Sequence, residues 1–348
     1  MSFRLQFKEQ TMKLKTFLNK YHTIIFDLDG VITSEEAYWD AAALTVYQQV
    51  NAQKLFDDAV DIKYYSSHVS EIRKEVFSDD KLISLLKNKG MNSNWDLAYV
   101  TYAIAVILDT KDFSKVYEYA ENMSDDIFAE YEKVGRGLAQ KISIADASRK
   151  SELWERLVMR FQEWSLGDKG FFEVYGYETS QQNKPSMLDN EEPIVEREKL
   201  KCILAELYKK GKTLAVATGR PNYEAVSALK RFGIFDYFNK KHFITYDYVA
   251  EAQKTTGVQV PKPHPYTFQK AYLGKDFADE RIISGDFPKE GLEGALVVGD
   301  AGSDILGAQA MGADFCGVLT GVNAKATKKY FEEQGAEYIL NSILDFEE

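Results

Sequence analysis

Two aspartates one residue apart, Asp27 and Asp29, directly follow the apolar run Thr23-Ile24-Ile25-Phe26 and precede Gly30. A short run rich in β-branched and aromatic residues reads as a buried strand. Open α/β sheets bind their ligands at the carboxyl ends of the strands, and residues two apart on an extended backbone project to the same side. Like charges held that close are costly unless something positive stands between them. The pair therefore points to a divalent cation, or to one carboxyl kept protonated to act as an acid. Asp-Gly is also an ordinary turn dipeptide, so the weight of the reading rests on three segments downstream.

The first of these is Thr213 to Ala217, a second apolar strand, followed by Thr218-Gly219-Arg220-Pro221. Pro221 opens a helical pattern with Ala225, Val226, Leu229 and Phe232 on one face and Gly233 past its end. A hydroxyl and free backbone N–H groups at a helix start suit a phosphate, although Thr218 is equally suited to cap that helix. The next is Lys262, set between Pro261 and Pro263 ahead of a helix from about Tyr266 to Tyr272. Fixed proline φ angles hold its backbone, and a lysine so held can neutralise an anion. The last is Ala295 to Val298, ending in Gly299-Asp300 and continuing through Ala301-Gly302-Ser303-Asp304 into the helical run Ile305 to Met311. Gly285-Asp286 is a weaker rival, because only Ile282 and Ile283 precede it with strand character and Pro288 interrupts any helix start. Asp300 is assigned to the site and Asp286 discarded.

In this order, Asp-x-Asp-Gly, Thr-Gly, Lys-Pro and Gly-Asp-x-x-x-Asp resemble the motifs of the haloacid dehalogenase superfamily of phosphotransfer enzymes. Asp29-Gly30-Val31-Ile32-Thr33-Ser34-Glu35, Lys262-Pro263-His264-Pro265 and Ala308-Gln309-Ala310-Met311-Gly312-Ala313 extend the likeness. It covers residues 20–36 and about 193–345, and not the middle of the chain. The resemblance implies that Asp27 is a nucleophile forming an aspartyl-phosphate, and that Asp29 is the general acid and then base, its backbone carbonyl also touching a metal. It implies Asp27, Asp29 and Asp300 as the metal set, with Mg²⁺ the ion such oxygen ligands suit. Asp304 is expected behind them, orienting Lys262 or a metal-bound water. Thr218, the N–H of Gly219 and Lys262 are expected to bind the phosphate oxygens. Arg220 is a candidate for substrate specificity.

The formal net charge of −11 argues against a nucleic-acid binder working by phosphate neutralisation, while a local cationic cluster can still receive a small anion. Hydrophobic residues make up 45%, which excludes a disordered chain. Two cysteines, Cys202 and Cys316, give no disulfide framework and are expected to be buried in a reducing compartment. No run approaches a membrane span. Met1 to Lys20 lacks an uninterrupted apolar core and a small-residue cleavage site, so it is expected to be a docking helix packed on the sheet rather than a secretory signal. A cytoplasmic enzyme acting on a small phosphorylated substrate fits these features.

Strands at about 23–27, 213–217, 243–245, 296–299 and 315–319 alternate with helices, which predicts an α/β fold built on a doubly wound parallel sheet. Residues 1–34 and 193–348 are expected to form this core. Between them, 35–192 is expected to be all-α. Ala41 to Phe56, Asp80 to Lys87, Trp95 to Leu108, Asp112 to Val134 and Ser151 to Leu166 read as helices, and Gly167 to Pro193 as a loop-like return linker. Tyr38, Trp39, Tyr47, Trp95, Tyr99 and Tyr102 are expected to be interior packing, and His68 to lie outside the site. An insertion placed directly after the first catalytic loop resembles the helical cap of this superfamily, at roughly twice the usual bulk. The motifs do not separate a phosphatase from a sugar phosphomutase, which differ in how well water is excluded. A phosphonate hydrolase requires a reactive lysine in the insertion. A catalytically vestigial interaction protein has no reason to keep all six motif residues.

Overall fold

The structure is a computed structural model of the 348-residue chain and describes residues 13–56, 60–91, 93–321 and 324–348. The expected N-terminal docking helix falls largely outside the described residues. Within them, Thr16–Lys20 forms a 3₁₀ turn that buries Leu18.

Six strands form one parallel sheet: β1 (Thr23–Phe26), β2 (Thr213–Ala217), β3 (Phe243–Ile244), β4 (Ala295–Gly299), β5 (Asp314–Val318) and β6 (Tyr338–Leu340). Their spatial order is β3-β2-β1-β4-β5-β6. Thr23 lies opposite Thr213 on one side and Ala295 on the other, and Phe26 opposite Val216 and Val298. The order reverses at β1, which is where a doubly wound sheet opens its binding crevice. Alternate residues serve the two faces. Ile24, Phe26, Leu214, Val216, Leu296 and Val298 share a core with Leu200, Ile203, Leu204 and Leu207 of the helix Arg197–Lys209. Ile25, Ala215, Ala217 and Val297 pack with Phe268, Ala271, Ile305 and Ala308 from the helices Tyr266–Leu273 and Gly302–Met311. Each fully buried large side chain contributes about 1.5–3 kcal/mol, so β1, apolar on both faces, is pinned in register.

The chain divides into two compact units, Met1–Ser34 with Glu192–Glu348, and Glu35–Glu191. The crossing points are close together in the first unit: Thr33 pairs with Pro193 in an antiparallel bridge, and Ile194 N–H donates to Ile32 O at 2.9 Å.

The second unit is helical. Its centre is the helix Asn94–Leu108, buried through Asp96 to Ala105. Two polar anchors fix its packing: Asp96 accepts from Arg149 Nε at 2.8 Å and Trp154 Nε1 at 3.0 Å, and Trp164 Nε1 donates to Gln48 Oε1 at 2.8 Å. Among the aromatic residues expected inside, Tyr38, Tyr99 and Tyr102 are buried, whereas Trp39, Tyr47 and Trp95 are half-buried.

Several sequence expectations need correction here. Asp112 to Val134 is two helices, Phe113–Glu121 and Ile127–Ile142, because Asp126 starts a new one by accepting from Ala129 N–H at 3.1 Å. Two helices were missed, Ile62–Ser67 and Val69–Phe77. The helix expected to stop at Leu166 runs from Glu152 to Tyr175, with a kink at Gly167 (φ 63°, ψ 176°). Cys202 is exposed and only Cys316 is buried, because Cys202 falls on the solvent face of its amphipathic helix. Among the described residues no helix is long and apolar enough to cross a membrane.

Candidate active site

The parallel register ends β1 and β4 side by side, so the residues just past them meet. Asp27 N–H still donates to Val298 O at 2.9 Å, which places Asp27 at the last paired position. Its Oδ1 accepts from Leu28 N–H at 2.8 Å, and its Oδ2 lies 2.9 Å from Lys262 Nζ. The same ammonium reaches Asp304 Oδ1 at 2.9 Å. Asp304 is fully buried and its Oδ2 accepts from Ala301 N–H at 3.2 Å, so the start of the following helix fixes its orientation.

Carboxylate oxygens of Asp27, Asp300 and Asp304 all lie within 4.8 Å of one another. Glycines make the room. A Cβ on Gly30, where φ is +74°, would lie 2.0 Å from Asp300 Oδ2, one on Gly321 would lie 2.2 Å from the same atom, and one on Gly299 would lie 2.4 Å from Asp304 Cβ. Thr320 Oγ1 donates to Gly30 O, tying the loop after β5 to the loop after β1.

The electrostatics follow from this crowding. Burial pushes the Asp27 carboxyl up to about 7, against the pull of Lys262 and with the Asp304 and Asp29 charges adding to the rise. Burial pulls Lys262 down, but the Asp27 and Asp304 carboxylates outweigh it and hold the ammonium above its ordinary value. Asp27 and Asp304 share the Lys262 ammonium while Asp300 lies within 4.8 Å of both, a crowding of like charges that a divalent cation relieves. The donor set is hard oxygen throughout, which fits a divalent ion such as Mg²⁺ better than a soft transition metal.

Thr218 is fully buried. Its N–H donates to Ile244 O at 3.0 Å and its Oγ1 accepts from Arg220 N–H at 3.1 Å. It is not the N-cap of the next helix, a position taken by Pro221 without a side-chain cap. Gly219 is exposed, with nothing within 4 Å of where a Cβ would stand.

Asp29 departs from the carboxylate cluster. Its Oδ1 accepts from Arg220 Nε at 2.9 Å, from Arg220 Nη2 at 2.5 Å and from Thr33 Oγ1 at 3.1 Å. Its side chain is thus outside the set Asp27, Asp300 and Asp304, and any metal contact from Asp29 falls to its backbone carbonyl. Arg220, the candidate for substrate specificity, lies against Asp29. Its side chain is 1% exposed and salt-bridged to Asp29. No spacing in the sequence signals that pair, which 191 positions separate. Asp286, set aside above, lies just past the short helix Asp279–Ile283 and pairs with Arg281 at 3.0 Å.

The chain is similar to known proteins at the level of family segment and fold. Residues 259–346 match the family model of HAD-hydrolase-like proteins. No curated protein matches the chain. Among solved structures, the X-ray structure of a structural-genomics target is 25% identical, with 93% of this chain and 97% of that chain covered and a TM-score of 0.72. A predicted phosphoglycolate phosphatase from Haemophilus somnus 129pt is 15% identical, with 94% and 96% covered and a TM-score of 0.48. The matched segment carries Lys262, Asp300 and Asp304, which the sheet joins to Asp27 at its central crevice. Over residues 259–346 the chain is thus similar to the HAD-hydrolase-like family, and its fold as a whole is similar to that of the structural-genomics target.

Proposed function

We propose that the protein is a Mg²⁺-dependent phosphatase that hydrolyses a small phosphorylated metabolite through a phosphorylated Asp27. The observation that carries this reading is the contact of Asp27 Oδ2 with Lys262 at 2.9 Å, inside a cluster of three carboxylates that span at most 4.8 Å. A carboxylate held by a lysine at the mouth of a parallel sheet is a nucleophile set where a phosphoryl group is drawn in by the same cation.

In the first step an Asp27 oxygen bonds to phosphorus, the ester P–O bond breaks, and the leaving oxygen takes a proton from Asp29. In the second, Asp29 takes a proton from water as the water oxygen bonds to phosphorus. The bond from phosphorus to Asp27 breaks and phosphate leaves. Lys262, the Thr218 hydroxyl and the Gly219 N–H hold the non-bridging oxygens and stabilise their charge. Asp27, Asp300 and the Asp29 carbonyl would hold Mg²⁺, with Asp304 keeping Lys262 in place. The ion supplies charge neutralisation for the transferring group.

These groups recognise only the phosphoryl end of a substrate, so we assign the choice of metabolite to the helical unit Glu35–Glu191. Lys184, fully buried in that unit, is taken by Glu163 and so is not the free amine that phosphonate chemistry requires. The test is phosphate release from a panel of phosphorylated metabolites with Mg²⁺ present. Release confined to one chemical class, absent in Asp27→Asn, supports the reading. Isomerised sugar phosphate as the main product, with little free phosphate, sinks it in favour of a mutase.

A further inference from the structure

We propose that Arg220 is a positioning residue: it anchors the Asp29 carboxylate through Oδ1 alone and thereby leaves Oδ2 as the oxygen that gives and takes the proton. The inference rests on the phosphatase reading above and concerns how its acid–base group is held.

A guanidinium fork ordinarily engages both oxygens of a carboxylate in parallel. Here both arms converge on one oxygen. Nε at 2.9 Å and Nη2 at 2.5 Å meet Oδ1, and the Thr33 hydroxyl reaches the same atom at 3.1 Å. Oδ2 takes none of these three bonds. The side-chain exposures divide in the same way, 29% for Asp29 and 1% for Arg220. The carboxylate is thus open to a ligand, while the guanidinium that holds it is buried behind it.

The holder is itself held. Arg220 N–H donates to Thr218 Oγ1 at 3.1 Å, and its carbonyl accepts from Tyr246 N–H at 2.9 Å. Its Nη2 also donates to Ser34 O at 3.1 Å. On the other side, Gly30 N–H donates to Thr33 O at 2.9 Å, and Thr33 N–H to Leu28 O at 2.8 Å. This tight loop turns the Thr33 hydroxyl back onto Asp29. The loop after β2, which carries the phosphate-binding Thr218, is thereby locked to the loop after β1, which carries the acid. A buried arginine is costly unless well paired, and a carboxylate that must transfer protons gains from having one oxygen fixed and the other available.

The test compares leaving groups in the full-length protein with Mg²⁺, reading leaving-group release in the first turnover. An alkyl phosphate needs a proton on its departing oxygen, and para-nitrophenyl phosphate barely does. Arg220→Met should slow the alkyl ester by about 10²-fold and the aryl ester by less than about tenfold, the range expected for a misplaced general acid. In an Asp29→Asn background, Arg220→Met should add no further selective loss on the alkyl ester. Thr33→Val removes one donor at equal volume and should shift the ratio the same way by less, and Arg220→Lys should restore part of it. These two variants carry the test should Arg220→Met not fold. An equal loss on both esters overturns the positioning role and leaves the phosphatase reading intact. Wild-type protein inert towards every ester overturns that reading, and the inference with it.

Discussion

A methyl group on Gly321 would stand 2.2 Å from Oδ2 of Asp300. Because Gly321 has no left-handed backbone to lose, Gly321→Ala acts chiefly on Asp300, whose side chain supplies the nearest atoms. The carboxylate must move off its place among Asp27 and Asp304. The Mg²⁺ concentration for half-maximal activity should rise by about 10–100-fold, the usual effect of disturbing the groups that orient a metal ligand. Thermal unfolding without added metal should barely change. An unaltered metal requirement would show that Asp300 is not a ligand.

Asp27→Asn keeps the shape of the side chain and removes the nucleophile. Turnover should fall by about 10⁴-fold or more, as losses of a covalent nucleophile do, and chelation by EDTA should abolish wild-type activity. Circular dichroism should show the fold retained. Phosphate release that survives either treatment rules out the mechanism.

Gly167 sits at φ 63° and ψ 176°, a region open essentially to glycine alone. A Cβ there would also lie 2.5 Å from Ser186 N and 3.0 Å from Lys184 O. Gly167→Ala should cost about 3 kcal/mol or more, combining backbone strain with the displaced strap. Urea unfolding followed by tryptophan fluorescence measures this, since Trp164 lies three residues away. A loss under about 1 kcal/mol would mean the strap yields easily.

The helical unit also stores alkaline sensitivity. Burial pushes Tyr102 up to about 12 and, together with Tyr47 and Tyr64, raises Tyr65 to about 12, while Tyr99 and Tyr131 are raised further, chiefly by burial. The folded state keeps protons that the unfolded state gives up from about pH 10. Stability from these phenols is therefore fully present below that pH and is lost as pH rises towards 12, at about 1.4 kcal/mol per unit for a phenol as buried as Tyr102. Tyrosinate absorbance should appear in two classes, the second only on unfolding. A single smooth titration with the fold intact is the contrary result.

The strands that hold the site were legible because each is a short apolar run broken by a polar or glycine residue, as Ile24-Ile25-Phe26 is by Asp27. The edge strand Tyr338–Leu340 was not, being three residues long and half-buried throughout. The helix Ile62–Ser67 was missed for a similar reason: only Tyr65 in it is buried, so no apolar stripe marks it. In the site, Asp27, Lys262, Asp300 and Asp304 are brought together as their motifs implied. The side-chain placement of Asp29 and Arg220 was illegible, since a lone arginine after Thr-Gly suits a substrate as well as a carboxylate. Gly321 carries no motif at all. Its role exists only because β5 ends beside β1's loop.

The neighbouring bridge between Thr33 and Pro193 has a consequence for biosynthesis. Phe26 leaves the ribosome long before its sheet partner Val216, by roughly ten to forty seconds at ordinary translation rates. Through that interval β1 has none of its sheet partners, and by its end the whole segment 35–191 has emerged and can collapse on its own helices. Once it has done so, its two ends re-emerge side by side, and the late-arriving half of the chain meets β1 with the intervening length already taken out of the search. The order of synthesis thus turns what is, in sequence, a very distant strand pairing into a local one.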